Sequence, residues 1–148
     1  MEYTMDYQYG ERLHALSRFI HTSQRLMFQL HVNFNNIIKL HQVCLTSAQG
    51  PMREYVIKEE LNSLNEIHEI RDEIEYINGQ LQTADNYRRS LLPAPPDFAS
   101  LHRAEMIVTN VINRDSHVTN WVVENLHRWN GIRKFITLQL TWDIKSLS

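Results

Sequence analysis

Residues 13–44 read LHALSRFIHTSQRLMFQLHVNFNNIIKLHQVC, and apolar side chains recur there at alternating intervals of three and four. The positions that keep this rhythm are Leu13, Leu16, Ile20, Ser23, Met27, Leu30, Phe34, Ile37, His41 and Cys44. Most of them are apolar, which is typical of a long helix that packs along a coiled-coil-like seam. We therefore predict a first helix over about residues 11–48. The ten residues before it show no clear period and are expected to form a loose lead-in.

Two breaks divide the rest of the chain. Gly50 and Pro51 are adjacent, and glycine commonly ends a helix while proline suits the first turn of the next one. The segment 91–97 contains three prolines, which no helix can cross, and Asp97 is a good N-cap. These breaks predict helices over about 52–92 and 98–146. The expected fold is all-α, a single domain (1–148) formed by an elongated antiparallel bundle of three long helices.

The second helix has a less regular apolar pattern. Its predicted seam consists of Ile57, Leu61, Leu64, Ile67, Ile70, Ile74, Ile77, Leu81 and Ala84. Two consecutive steps of three fall between Leu64 and Ile70, and we interpret them as a stammer that locally overwinds the coil.

The third helix has an apolar pattern that polar residues interrupt. Its predicted seam consists of Leu101, Ala104, Val108, Val111, Asp115, Val118, Val122, Asn125 and Trp129. Polar residues near 114 and the Asn130-Gly131 pair could break it, which would give four helices. After Gly131, apolar and polar residues alternate as in a strand, yet Ile132, Ile136 and Leu140 also keep helical spacing. Helix and strand both remain open for this segment, and helix is favoured because an all-α chain offers a strand no partner.

Composition restricts the class of protein. The chain has 148 residues, 43% of them hydrophobic and 22% charged, so it can form a packed core. Cys44 is the only cysteine, and neither a secretory signal nor an Asn-x-Ser/Thr site is found. We therefore expect an intracellular protein, cytoplasmic or nuclear. No apolar run approaches the roughly 20 residues of a membrane span.

Charge is unevenly distributed between the first two helices. Residues 11–50 carry four bases and one acid, whereas residues 53–75 carry eight acids and three bases. We interpret this as a basic helix packed beside an acidic one. A nucleic-acid interface on the basic helix is the alternative, although its bases are sparse for that purpose.

The sequence offers little for catalysis or metal binding. Neither a glycine-rich phosphate loop nor a nucleophile motif is present. Glu11-x-x-His14 and Glu124-x-x-His127 have the spacing of di-iron helical bundles, but the further carboxylates of such a site are not evident. We expect no enzyme, no cofactor, no metal site and no small-molecule substrate.

Function is therefore expected to lie in binding. The aromatic C-terminal third contains all three tryptophans, a residue type enriched at binding hot spots. The predicted interface with a partner consists of Trp121, Trp129, Phe135, Leu138 and Trp142. We expect a non-enzymatic interaction, scaffold or assembly subunit that binds another protein or itself. The same residues could instead cap the end of the bundle, and a helical signalling ligand or a viral accessory factor is the alternative function.

Overall fold

The fold consists of three α-helices. The computed structural model describes the backbone from Glu2 to Leu147, with the side chains of residues 7–142 and of Lys145. Helix α1 spans Glu2–Ser47, α2 spans Pro51–Leu91 and α3 spans Phe98–Leu147, which are 46, 41 and 50 residues. The described residues include no β-strand. The predicted all-α, three-helix fold is thus confirmed.

The predicted helix ends are confirmed in their local geometry. Gly50 has a φ of 58°, a left-handed conformation that costs glycine little and lets the chain turn after α1. Pro51 is the first residue of α2, where its missing N–H is not needed. Asp97 caps α3, accepting hydrogen bonds from the Ser100 N–H at 3.1 Å and the Ser100 hydroxyl at 2.8 Å. These bonds hold the pKa of Asp97 below its ordinary value.

Helix α1 begins earlier than predicted. The expectation of a loose lead-in was wrong, because the helix already runs from Glu2. Tyr9 is buried, and its ring packs edge-on against Phe98 with centroids 5.2 Å apart. Tyr9 lies four residues before Leu13, so it extends the seam by one step, and an aromatic edge-to-face contact stabilises it there.

The packed side chains form two compact units, each with a segment of every helix. Unit 1 comprises the residues up to Gln29 together with Asp72–Val118, and unit 2 comprises Leu30–Arg71 and the residues from Thr119 onward. The core of unit 1 contains Tyr9, Leu13, Leu16, Ile20, Ala84, Leu91, Leu101, Ala104 and Val108. The beginning of α1 therefore packs with the end of α2 and the beginning of α3, as in an up-down-up arrangement.

Contacts in unit 2 give the same relative directions for α1 and α3. Phe34 lies 5.9 Å from Trp121 between ring centroids, and His41 lies 3.7 Å from Trp129. Residue numbers rise together along both helices, so α1 and α3 are parallel in this unit.

Helix α2 runs the opposite way in unit 2. Glu66 accepts a hydrogen bond from Trp121, whereas the earlier Glu59 forms an ion pair with the later Arg128. Within each unit, α2 is therefore antiparallel to its two neighbours.

Helix α3 is continuous, so the predicted breaks near 114 and 131 were wrong, as was the four-helix alternative. The strand considered after Gly131 is also absent, since α3 continues to Leu147. Trp129, Ile132 and Ile136 are buried on both sides of Gly131. A single glycine in a helix costs about 1 kcal/mol of stability relative to alanine. Burial of this apolar stripe outweighs that cost.

The seam of α2 differs from the prediction in its first third. Ile57, Leu61 and Leu64 were assigned to the seam but are exposed, and Val56 and Ser63 are buried instead. From Ile67 onward, every predicted seam position of α2 is buried. With Ser63 in place of Leu64, the alternation of three and four continues unbroken, so no stammer is needed.

Candidate functional site

The five predicted interface residues are not brought together on one surface. Trp121 and Trp129 are 9% and 0% exposed, whereas Phe135, Leu138 and Trp142 are 55%, 69% and 66% exposed. The two tryptophans belong to the core of unit 2, and the other three side chains lie on its surface.

Trp121 is held by contacts within its own chain. Its indole Nε1–H donates to Glu66 Oε2 at 3.1 Å, and its ring lies against Phe34. A buried tryptophan with its polar atom bonded to a neighbouring helix stabilises the packing of the bundle. Trp121 is therefore a core residue.

Trp129 stacks on a buried histidine. The rings of His41 and Trp129 are 3.7 Å apart between centroids and inclined by 35°. Burial, and secondarily the charge of Arg128, lowers the pKa of His41 to about 4, so the ring is neutral at neutral pH. Neither His41 Nε2 nor Trp129 Nε1 has a hydrogen-bond partner among the described residues. The contact is thus apolar in character and belongs to the core.

Phe135, Leu138 and Trp142 form a separate apolar stripe, which we call the α3 face. They are spaced by three and four residues, so they lie on one side of the helix. Ile132 and Ile136, on the seam of the same helix, are buried by the rest of unit 2. Helix α3 thus has two apolar stripes in its last third, one buried in unit 2 and one exposed.

The α3 face is bordered by a groove and by basic side chains. An open groove of roughly 460 Å³ lies beside Phe135 and is lined by Met52, Tyr55, Arg128, Gly131, Ile132 and Phe135. Exposed Lys134 and Lys145 flank the stripe on the side away from the buried seam. An open apolar groove with a basic border suits protruding side chains of a protein better than an enclosed small ligand.

A second exposed stripe lies on α2. Ile57, Leu61 and Leu64, which we call the α2 face, are 39%, 63% and 39% exposed. They are spaced by four and three residues, and both acids and bases lie beside them: Glu54, Glu60, Arg53 and Lys58. Both faces belong to unit 2.

The α2 face was not predicted from the sequence, because these aliphatic residues were assigned to the core. One signal could have revealed it. Counting back from Ile67 in regular steps of four and three gives Ser63, Glu60 and Val56. The irregular step at Leu64 therefore indicated that three large apolar side chains were not on the seam.

The described residues show no metal site or reactive cysteine. No group of three or more His, Cys, Asp or Glu side chains is placed to hold a metal ion in the part of the chain that the structure describes. Cys44 is buried, and burial raises the pKa of its thiol, which disfavours the reactive thiolate.

Comparisons with known proteins add no family. No protein-family model matches the chain, and no curated protein or solved structure matches it. Between Glu2 and Leu147, none of the three helices has an apolar stretch long enough to cross a bilayer.

Proposed function

We propose that this chain is a non-enzymatic interaction module, a scaffold or assembly subunit, that binds another protein chain through the α3 face. One observation carries the proposal. Phe135, Leu138 and Trp142 expose more than half of their surface along a single helical stripe, although the core stripe of the same helix is already buried.

The energetics of this stripe favour a partner. Full burial of a large apolar side chain stabilises a complex by roughly 1.5–3 kcal/mol before the costs of association. Trp142 is of the residue type most enriched among binding hot spots, and Phe135 lies beside a groove that could receive a partner's side chain. Flanking lysines would form a polar rim, as is usual around the apolar centre of an interface.

The basic part of α1 supports a nucleic-acid partner less well. The Arg12 guanidinium pairs with Glu105, with Nε 3.1 Å from Oε2, and lies 5.7 Å from the centre of the Phe98 ring. One of the four bases of this helix is therefore neutralised within the chain, which leaves an already sparse basic surface weaker.

The experiment compares three versions of the full-length chain as bait in extracts of the native source. Leu138→Asp places a charge in the centre of the α3 face. Ile112→Asp is the matched control, because Ile112 is a 45% exposed aliphatic residue elsewhere on α3. Removal of residues 131–148 would be less specific, since it would also delete the buried Ile132 and Ile136.

Proteins retained by the wild type and by the Ile112→Asp variant are expected to be lost with Leu138→Asp. The helical circular-dichroism signal and the melting of all three baits should stay alike, because surface substitutions usually change stability by no more than about 0.5 kcal/mol. Equal retention by the Leu138→Asp variant would contradict the proposal.

A further inference from the structure

We propose that the contact between His41 and Trp129 is an acid-sensitive switch, which frees the last part of α3 from the rest of unit 2 when His41 takes up a proton. That part of the helix, residues 129–147, carries the α3 face. Release of a bound partner on acidification would follow, and this consequence alone rests on the proposed function. The switch itself can be tested without a partner.

A stacked pair of rings joins α1 to α3 in the core of unit 2. His41 is 2% exposed and Trp129 is 0% exposed, and their ring centroids lie 3.7 Å apart. His41 Nε2 has no hydrogen-bond partner in the part of the chain that the structure describes. A proton bound there would bury a positive charge without an acceptor, which is costly. His41 is therefore protonated mainly in molecules in which Trp129 has moved away and water reaches the ring.

The charged groups around this contact do not offset a proton on His41. Burial, and secondarily the charge of Arg128 on α3, lowers the pKa of His41 to about 4. On α2, Glu59 is already ion-paired with Arg128. On α1, Cys44 lies three residues after His41, and burial raises the pKa of its thiol, so that group stays neutral. Among the described residues, burial and a cation thus oppose protonation, and no carboxylate compensates for them.

Few other buried side chains hold the end of α3. Gly131 follows two residues after Trp129, and a glycine inside a helix makes the helix less stable than alanine would. In the described part of α3 beyond Gly131, the buried side chains are those of Ile132 and Ile136. Loss of the contact with His41 therefore removes a large share of what retains this segment.

Unit 1 should respond to acid in the opposite direction. Asp115, a buried carboxylate of that unit, has its pKa raised by burial to about 6. Protonation of Asp115 removes a buried charge, so unit 1 becomes more stable as pH falls from 7 to 5. Asp85, another buried carboxylate of unit 1, is ion-paired with Arg88 at 2.8 Å. Acid is therefore expected to loosen unit 2 and not unit 1.

Hydrogen exchange of the backbone amides tests the switch in the full-length chain. It is measured by NMR at pH 7 and pH 5 and corrected for the intrinsic exchange rate at each pH. At pH 5, carboxyl groups with ordinary pKa values of about 3.9–4.3 remain mostly ionised. His41→Phe keeps an aromatic ring against Trp129 but cannot titrate, and His41→Leu is a second variant in case that ring disturbs packing. The matched control is His31→Gln, because His31 is an exposed histidine on the same helix.

The opening constant of residues 129–138 should rise by about 20-fold from pH 7 to pH 5 in the wild type and the control, because the pKa of His41 is about 4 when buried and 6.5 when exposed. Over residues 101–115, in unit 1, the opening constant should not rise. His41→Phe and His41→Leu should both abolish the rise over residues 129–138.

Three results would overturn the inference. An unchanged opening constant in the wild type would show that attraction between the imidazolium and the indole face of Trp129 offsets the cost of burial. An equal rise in both units would show that acid acts on the whole protein. A rise that persists in both His41 variants would place its cause elsewhere. The proposed function is unaffected by these results, since it depends on whether Leu138→Asp loses its partner in extract at neutral pH.

Discussion

Several seam positions carry polar side chains that are buried: Ser23, His41, Asp115 and Asn125. Asn125 meets its hydrogen-bonding requirement locally, since its Nδ2 donates to the Trp121 carbonyl at 2.9 Å. His41 is buried in its neutral form against Trp129. Burial disfavours the charged forms of His41 and Asp115, so both side chains should make stability depend on pH.

Asp115 is expected to destabilise the protein at neutral pH. Burial raises the pKa of its carboxyl to about 6, against an ordinary value of 3.8. The folded chain therefore takes up this proton first as pH falls, and the contribution of Asp115 to stability improves between about pH 6 and pH 4. Asp115→Asn, which is neutral and similar in shape, should raise the free energy of unfolding at pH 7 by about 1–3 kcal/mol.

The measurement is urea denaturation of wild type and the Asp115→Asn variant at pH 7 and pH 4. The advantage of the variant should shrink toward pH 4, where the wild-type carboxyl is protonated as well. An advantage that is the same at both pH values would show that ionisation of Asp115 is not its cause.

His41 should give the opposite dependence. The pKa of the buried ring is lowered to about 4 from an ordinary value of 6.5, so the unfolded chain binds this proton first. Its contribution is complete above about pH 6.5 and is lost as pH falls toward 4. His41→Phe should remove this part of the pH dependence in a series of urea melts, whereas His31→Gln, an exposed histidine on the same helix, should keep it.

Of the three helices, α1 and α3 were the easiest to predict in their cores. Every seam position predicted between Leu13 and Cys44, and between Leu101 and Trp129, is buried. In these segments a regular step of three or four usually reached an apolar residue, and this register was the one consistent with the sequence. Local turn signals such as Asn130-Gly131 were misleading, because continuous burial along the helix overrides them.

Helix α2 was harder to predict because two stripes compete there. Ile57, Leu61 and Leu64 form the more apolar stripe, whereas the one that faces the core carries Glu60 and Ser63. The recurrence of apolar residues, taken alone, indicates that the first stripe faces the core. Packing along the whole helix chooses the second, because the register from Ile67 to Ala84 cannot change without exposing its isoleucines.

Substitutions on the two stripes of α2 should separate them. Ile67→Ala removes a buried side chain and should lower the free energy of unfolding by about 2–5 kcal/mol. Leu61→Ala, six residues earlier on the exposed stripe, should change it by about 0.5 kcal/mol or less. Chemical denaturation of the two variants side by side gives both values, and a cost for Leu61→Ala as large as that for Ile67→Ala would place Leu61 in the core.

In the molecule as a whole, the buried residues could be predicted from the sequence more fully than the exposed apolar ones. Tryptophan content led us to predict a binding region in the C-terminal third, but aromatic type alone does not separate Trp129 in the core from Trp142 on the surface. The distinction depends on helical phase relative to the seam, and an unresolved choice between helix and strand left that phase undefined after Gly131. Once α3 is continuous, the phase assigns Phe135, Leu138 and Trp142 to one exposed stripe.

The central claim is that this stripe contacts another protein chain. A benzophenone-bearing residue in place of Leu138 tests it most directly, with the same residue in place of Ile112 as the control, each in the full-length chain irradiated in native extract. We expect a discrete cross-linked product of higher mass from position 138 and none from position 112. No product from position 138, or equal products from both positions, would contradict it.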